Sequence, residues 1–454
     1  MTNATPGLGR AQPGTNPDRI TTPFPLPAGG TEAILNVVSA AGYDPVAVYE
    51  RLDPQTRQPV RTHIGLTVKS TVVPVAPQID GFDRLRSVLE ASAEPVLGFL
   101  SFEAGVAVSS TKPAAVTAPA AVFMELVDYF VVDHRQRSGT LVTTSVSGDG
   151  ARGMIEMFAS EVPETAGIGR QEVRDEDWEA LVTEEQFNAG VDRIKMAATG
   201  TATPAGAVLS VPLRRRGPVN EIESYRALRK MNPSTCMFLL RVEGFSLWGA
   251  TSLSMVEVRE RHLVAETDGA THAVPDGAGA EFVWAPSDKE LHEYEVVVAA
   301  LREDLEAISA TGTLRFTRER EIREFFRLRH IFAEAQAELA DGVDAIDALR
   351  KLFPHGAATG HPRTDALPLI EAGETLARGP FAGAIGMFGV DGSVDAACVS
   401  RSAWNTSEGT VVHAGAKIVA ESDSGAEYRE CVLKTAALRQ SLRAGIPDEN
   451  RTGA

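Results

Sequence analysis

Residues 378–404 read RGPFAGAIGMFGVDGSVDAACVSRSAW. Two runs of small and apolar residues flank Asp391-Gly392, and an Asp-Gly pair between such runs is a strong short-range signal for a two-residue hairpin turn. The stretch therefore predicts two antiparallel strands. Upstream, NPSTCMFLLRVEG from Asn232 followed by FSLWGATS from Phe245 reads as a second hairpin. ELVDYFVVDH from Glu125, then RQRSG and TLVTTSV, reads as a third. GAVLSVPLRRRG from Gly206 and TVVHAGAKIVAES from Thr410 are further strands.

Between these runs the apolar spacing changes from two to three and four. EEQFNAGVDRIKMAATG places Phe187, Val191 and Ile194 on one helical face. DKELHEYEVVVAALREDLEAI from Asp288, EIREFFRLRHIFAEAQAEL from Glu321 and AEYRECVLKTAALRQSL from Ala426 are expected as helices. Hairpins alternating with long helices predict an α+β fold in two lobes, with antiparallel sheets covered by helices. The chain divides into a tail at 1–23, a first lobe at 24–165, a polar linker at 166–180, a second lobe at 181–446 and a tail at 447–454.

A formal charge of −17 argues against a general nucleic-acid-binding or anionic-membrane surface. It leaves room for a locally positive pocket that takes an anionic substrate. Cys236, Cys398 and Cys431 stand far apart with no CxxC pair, which fits a reducing compartment and excludes a zinc ribbon. No apolar run is long enough for a membrane helix, and the N-terminal residues lack the apolar core of a signal peptide. The expected location is the cytoplasm.

Glu427, Glu430 and Lys434 are three and four residues apart and share one helical face. Two carboxylates so placed can hold a hard cation such as Mg²⁺, and Glu293 on another helix can supply a third. By spacing alone the same pattern is also a solvated face with a weak ion pair.

The second lobe resembles the chorismate-utilising enzymes of the anthranilate synthase component I type. The match runs in order from Phe187 to Leu442, through NPSTCMFLLR at Asn232, GAT at Gly249, KELHEYE at Lys289 and FPHGAATGHPR at Phe353. It continues through RGPFAGAIGMFG at Arg378, Arg401, HAGAKIVAESD at His413 and EYRECVLK at Glu427. In the first lobe GFLSFEAG and YFVVDHRQ echo the same type. The resemblance implies a two-lobed α/β sandwich. It also implies Mg²⁺ held by Glu293, Glu427 and Glu430, and Arg401 gripping the enolpyruvyl carboxylate of chorismate. Thr359 and Gly360 fall in its substrate loop, Gly415 in a glycine strand whose backbone N–H groups approach a carboxylate, and Lys434 beside the metal. The product it implies is anthranilate or 2-amino-2-deoxyisochorismate, with ammonia from a separate glutaminase subunit. An isochorismate- or salicylate-forming enzyme and a non-catalytic chorismate-binding subunit remain open, as does a homo-oligomer.

The departures are as specific as the matches. Leu253 stands where the resemblance implies a glutamate acting as general acid, and Ser210 where it implies Gln or Lys. His330 is kept but its histidine neighbour becomes Ala333, and no lysine stands at Gly269. New ionisable residues enter the matched motifs: His361 and Arg363 in the substrate loop and Lys417 in the glycine strand. His361, Lys417 and His272 are therefore candidates to replace the missing acid and base, because histidine titrates near neutrality and burial lowers a lysine. With Lys434, which the resemblance places beside the metal, His361 and Lys417 are the expected catalytic groups.

Overall fold

In the computed structural model, strands Ala384–Phe388 and Val394–Cys398 pair antiparallel, Ala384 opposite Cys398 and Phe388 opposite Val394. Gly392 at the turn has a φ of 84°, the left-handed conformation that glycine adopts without steric cost. The structure describes residues 19–443 apart from 76–79, 107–111, 113, 115–116, 145–147, 159–176, 199–205, 275–283 and 327. Most of the N-terminal tail, the linker up to 176 and the C-terminal tail lie outside the described residues.

This hairpin is one step in a single hydrogen-bonded ladder. From Arg315–Phe325 it passes through Leu328–Glu338, His262–Ala273, Ser254–Arg259 and Val394–Cys398 to Ala384–Phe388. It then enters the first half of the chain through Val96–Leu100, Ala121–Asp133, Pro59–Val73 and Ala47–Leu52. It returns through Cys236–Val242, Phe245–Thr251, Ser402–Thr406 and Gly409–Ile418 to Gly206–Arg215. All of these pairings are antiparallel. The two arms pack on each other: one apolar cluster holds Tyr49, Phe99 and Met124 together with Phe238, Leu247, Ile385 and Trp404.

The expected division at 165 and 181 is thus a division in sequence and not in packing. Strands of the first lobe form the middle of the ladder, and Ile34, Val48 and Phe130 share a core with Leu209, Tyr225 and Trp248. The strand Arg19–Pro25 pairs with Ser138–Thr144, so residues assigned to the tail belong to the sheet. EIREFFRLRHIFAEAQAEL is not a helix. It forms most of the hairpin Arg315–Phe325 with Leu328–Glu338, turning at Phe326, where φ is 56°. Ala333, Ala335 and Ala337 are buried while Glu334 and Gln336 between them are less so, which is the period of a strand.

Helices cover the outer faces. Asp288–Glu306 starts in a capping box: the Ser287 hydroxyl accepts from Glu290 N–H and the Glu290 carboxylate accepts from Ser287 N–H. Tyr294, Val297, Leu301 and Leu305 form its buried stripe. It lies on His262–Ala273 at Gly269, where a Cβ would stand 2.6 Å from Tyr294 Cα. Only glycine permits that approach, and the approach brings Glu293 over the sheet. The closing helix breaks at Thr435 into Ser424–Lys434 and Ala436–Leu442. Asp423 caps the first part, accepting from Ala426 N–H.

Candidate functional site

Helices Asp288–Glu306 and Ser424–Lys434 and the strands beneath them enclose a cavity of about 310 Å³. Glu293, Glu427, Glu430, Arg401, Lys417, Lys434 and Gly415 all line it. Seven of the ten residues singled out from the sequence therefore meet in one place, although they come from three separate elements and one loop.

Arg401 lies at the buried end. Its Nη2 donates to His330 Nε2 at 2.5 Å. A guanidinium has no acceptor, so this bond fixes His330 as the neutral tautomer with its proton on Nδ1. That nitrogen faces Thr271 Oγ1 at 3.3 Å and Asp268 Oδ2 at 3.8 Å. Burial and the Arg401 charge hold His330 well below its usual range. Burial also brings Arg401 down to about 10, against the pull of Asp268, so it is charged at neutral pH. Arg401 Nη1 is buried with no hydrogen-bond partner among the described residues. A buried donor without a partner costs about 1–3 kcal/mol, more when charged, and an acceptor brought in by a ligand recovers that cost.

The other wall carries carboxylates and ammonium groups in contact. Lys289 Nζ lies 3.6 Å from Glu293 and 3.9 Å from Glu427, and Lys434 Nζ is 2.7 Å from Glu430. Lys434 also donates to Gly415 O at 3.0 Å, and Lys417 to Glu293 O at 3.2 Å. Burial raises Glu427 to about 7, with the Glu430 charge adding to the shift. Burial likewise raises Glu293, against Lys417 and Lys289. Burial lowers Lys417 to about 8, against Glu293. Burial works against the charge of Lys434 too, but Glu430 outweighs it and the net shift is upward.

Residues 55–440 match the chorismate binding enzyme family. The chain belongs to that family. An aminodeoxychorismate synthase component 1 of Bacillus subtilis is 27% identical over 76% of this chorismate binding enzyme and 76% of its own length. An anthranilate synthase component 1 of Streptomyces coelicolor is 34% identical over 59% of the chain, which spans about half (53%) of that relative. Among solved structures, anthranilate synthase component I from Streptococcus pneumoniae superposes with a TM-score of 0.68 at 21% identity, covering 96% of this chain and 95% of that one. The menaquinone-specific isochorismate synthase of Escherichia coli gives 0.67 at 19%, covering 93% and 94%. These likenesses show the fold.

Three expected site residues do not line the cavity of this chorismate binding enzyme. His361 is in a two-residue strand, paired with Gly206, and its Nε2 faces Glu303 at 3.9 Å. The Thr359 hydroxyl donates to His355 O at 3.0 Å within its own turn. Gly360 has a φ of 121°, and a Cβ there would lie 2.0 Å from Gly206 O. Both residues shape the loop rather than reach into the cavity. His272 stacks on Trp284, with ring centres 5.1 Å apart, and faces Glu290. Ser210 donates to Glu374 at 2.7 Å and is tied to His413, below the cavity floor.

Asp268 and Lys289 line the cavity and were not singled out from the sequence. Lys289 opens the KELHEYE motif, four residues before Glu293 and one turn away, a spacing that could have found it. Asp268 carried no such signal.

The donor set fits a hard divalent cation: three carboxylate side chains on one cavity, two of them raised by burial. As the side chains stand, no three acidic, His or Cys groups among the described residues are placed to hold a metal ion, and ammonium groups lie against Glu293, Glu427 and Glu430. Lys289 is nearly half exposed and lies against two of the three carboxylates. Lys289→Ala is therefore expected to tighten Mn²⁺ binding by a few-fold, read by titration calorimetry. Equal affinity in the two proteins would mean that Lys289 does not compete for the carboxylates.

Proposed function

We propose that this chorismate binding enzyme displaces the ring hydroxyl of chorismate with a nitrogen nucleophile, giving 2-amino-2-deoxyisochorismate, or anthranilate where the enolpyruvyl arm is then eliminated as pyruvate. The observation that carries this reading is the buried guanidinium of Arg401, with Nη1 unpartnered, in a cavity also lined by Glu293, Glu427 and Glu430 and by Lys289, Lys417 and Lys434. Chorismate carries two carboxylates, and such a cavity offers each a different kind of partner. One is a planar fork that can hold a carboxylate at two points. The other is a group of carboxylates, Glu293, Glu427 and Glu430, that can hold Mg²⁺. When bound, Mg²⁺ would neutralise the ring carboxylate.

The chain's own residues supply the remainder. Arg401 orients the enolpyruvyl arm, and His330, locked in one tautomer, orients Arg401. Lys417 lies near enough to neutrality to exist partly as the free amine, so it is the base we assign to the incoming nucleophile. Lys434 remains charged and balances the acidic wall. The three cysteines are buried, and burial raises their thiols, Cys236 and Cys398 to about 12 and Cys431 further. None is a thiolate that could attack glutamine, which supports a separate glutaminase as the ammonia source. Among the described residues no helix is long and apolar enough to cross a membrane.

Leu253, which lines the cavity and cannot donate a proton, favours a second reading: a subunit that holds chorismate without turning it over. One experiment separates the readings. The purified protein is incubated with chorismate and Mg²⁺, with and without ammonium, and products are followed by mass spectrometry. Ammonium-dependent gain of nitrogen is the expected result. Nitrogen-free isomerisation would mean hydration, and binding without conversion would support the second reading. The absence of both binding and conversion would remove chorismate as the ligand.

A further inference from the structure

The strand His262–Ala273 is irregular where it meets the cavity. Its register against Leu328–Glu338 shifts between Gly269 and Thr271, and Ala270 has a φ of 56°. A regular strand alternates its side chains between two faces, so at most every second residue would face the cavity. Here Asp268, Gly269, Ala270 and Thr271 all line it. Bulges of this kind recur beside active sites, where they redirect a side chain. Asp268 stands just before the bulge, regularly paired with Phe332, and lines the same cavity.

We propose that Asp268 is the proton donor to the hydroxyl that leaves the substrate, and that docking of a substrate carboxylate on Arg401 loads it with the proton. The inference rests on the chorismate reading above. Asp268 is in the same cavity as Leu253, which has no proton to give. His330 Nδ1 lies 3.8 Å from its carboxyl group, and His330 joins it to Arg401.

The loading step follows from electrostatics. Burial raises Asp268, and the charge that most opposes this is Arg401, followed by Lys434 and Arg323. Lys417 and the neutral Cys398 thiol also face it. A carboxylate seated on Arg401 cancels the strongest of these fields and adds a negative charge to the same enclosed cavity. Both changes favour the protonated form of Asp268.

The proton balance of the reaction then closes. Ammonia adds to the ring carbon and the ring double bonds shift. The C–O bond to the hydroxyl breaks with its electron pair, and the Asp268 proton goes onto that oxygen to release water. Lys417, the base assigned above, takes the proton lost from the added nitrogen, and exchange with solvent returns one proton to Asp268 and removes one from Lys417.

The test is calorimetry of chorismate binding in buffers of different ionisation enthalpy, with Mg²⁺ present, on wild type and Asp268→Asn. Wild type is expected to take up about half a proton to one proton per site at pH 7, and Asp268→Asn to bind with similar affinity and no such uptake. With ammonium, turnover of Asp268→Asn is expected to fall by about 10²- to 10⁴-fold, with partial recovery in Asp268→Glu. Chorismate binding with equal proton uptake in both proteins, or unchanged turnover in Asp268→Asn, overturns the inference and leaves the chorismate reading standing. No binding of chorismate to wild type overturns both. Matching unfolding midpoints for wild type and Asp268→Asn show that the variant is folded.

Discussion

Replacing Arg401 by alanine is expected to weaken chorismate binding by at least about a hundredfold. Hydrogen bonds to charged partners contribute about 1.5–3 kcal/mol each, and every 1.4 kcal/mol is a factor of ten in affinity. The native guanidinium offers the cavity an unpartnered Nη1 at no cost in ordering, because Nη2 is already fixed on His330. Arg401→Lys is expected to recover only a small part of the loss. Its single ammonium cannot both reach His330 and offer a second, parallel donor. The backbone should survive either change, since Ala250 N–H bonds the main-chain carbonyl of residue 401. Titration calorimetry of the two variants against wild type reads the effect. A tenfold loss or less for Arg401→Ala would place the substrate carboxylate elsewhere.

The residues around Arg401 show what a sequence can and cannot reveal. Glu427, Glu430 and Lys434 were legible because helical spacing alone puts them on one face. Asp391-Gly392 was legible because its turn is local. The segment from Glu321 to Leu339 was misread because its apolar residues, Phe325, Leu328, Ile331, Phe332 and Ala335, satisfy a helical repeat. The deciding fact is distant: Leu328–Glu338 is the central strand between Arg315–Phe325 and His262–Ala273. His361 is placed by its pairing with Gly206, outside the cavity lining, and that pairing joins residues far apart in sequence. Asp268 was invisible for a related reason. Its place depends on the pairing of its strand with Leu328–Glu338 and on Gly269 letting a helix settle against the sheet, and neither has a local pattern.

Replacing Arg378 by methionine is expected to destabilise the fold by about 3–5 kcal/mol, the range for breaking a buried ion pair from one side. Arg378 is 2% exposed, and every edge of its guanidinium is engaged. Nε and Nη2 hold the two oxygens of Glu374 at 2.9 and 2.7 Å. Nη1 donates to Ala358 O at 3.0 Å, and Nη2 also donates to Val208 O. The Phe102 and Phe381 rings flank it at 4.8 and 5.5 Å. Glu374 also accepts from Ser210, which is tied to His413, and His413 stacks on Phe381 at the cavity. Methionine keeps much of the volume but leaves Glu374 buried with only a hydroxyl for a partner. Urea unfolding at constant slope measures the loss. Because the penalty is that of the orphaned carboxylate, removing it as well in Arg378→Met/Glu374→Leu is expected to recover most of the stability, a non-additivity that a double-mutant cycle reads directly. If the two losses simply add, the pair is not a unit. Ser210 then needs no catalytic role to explain its position, since a small hydroxyl there completes the coordination of Glu374, and a lysine would bring a second cation against Arg378.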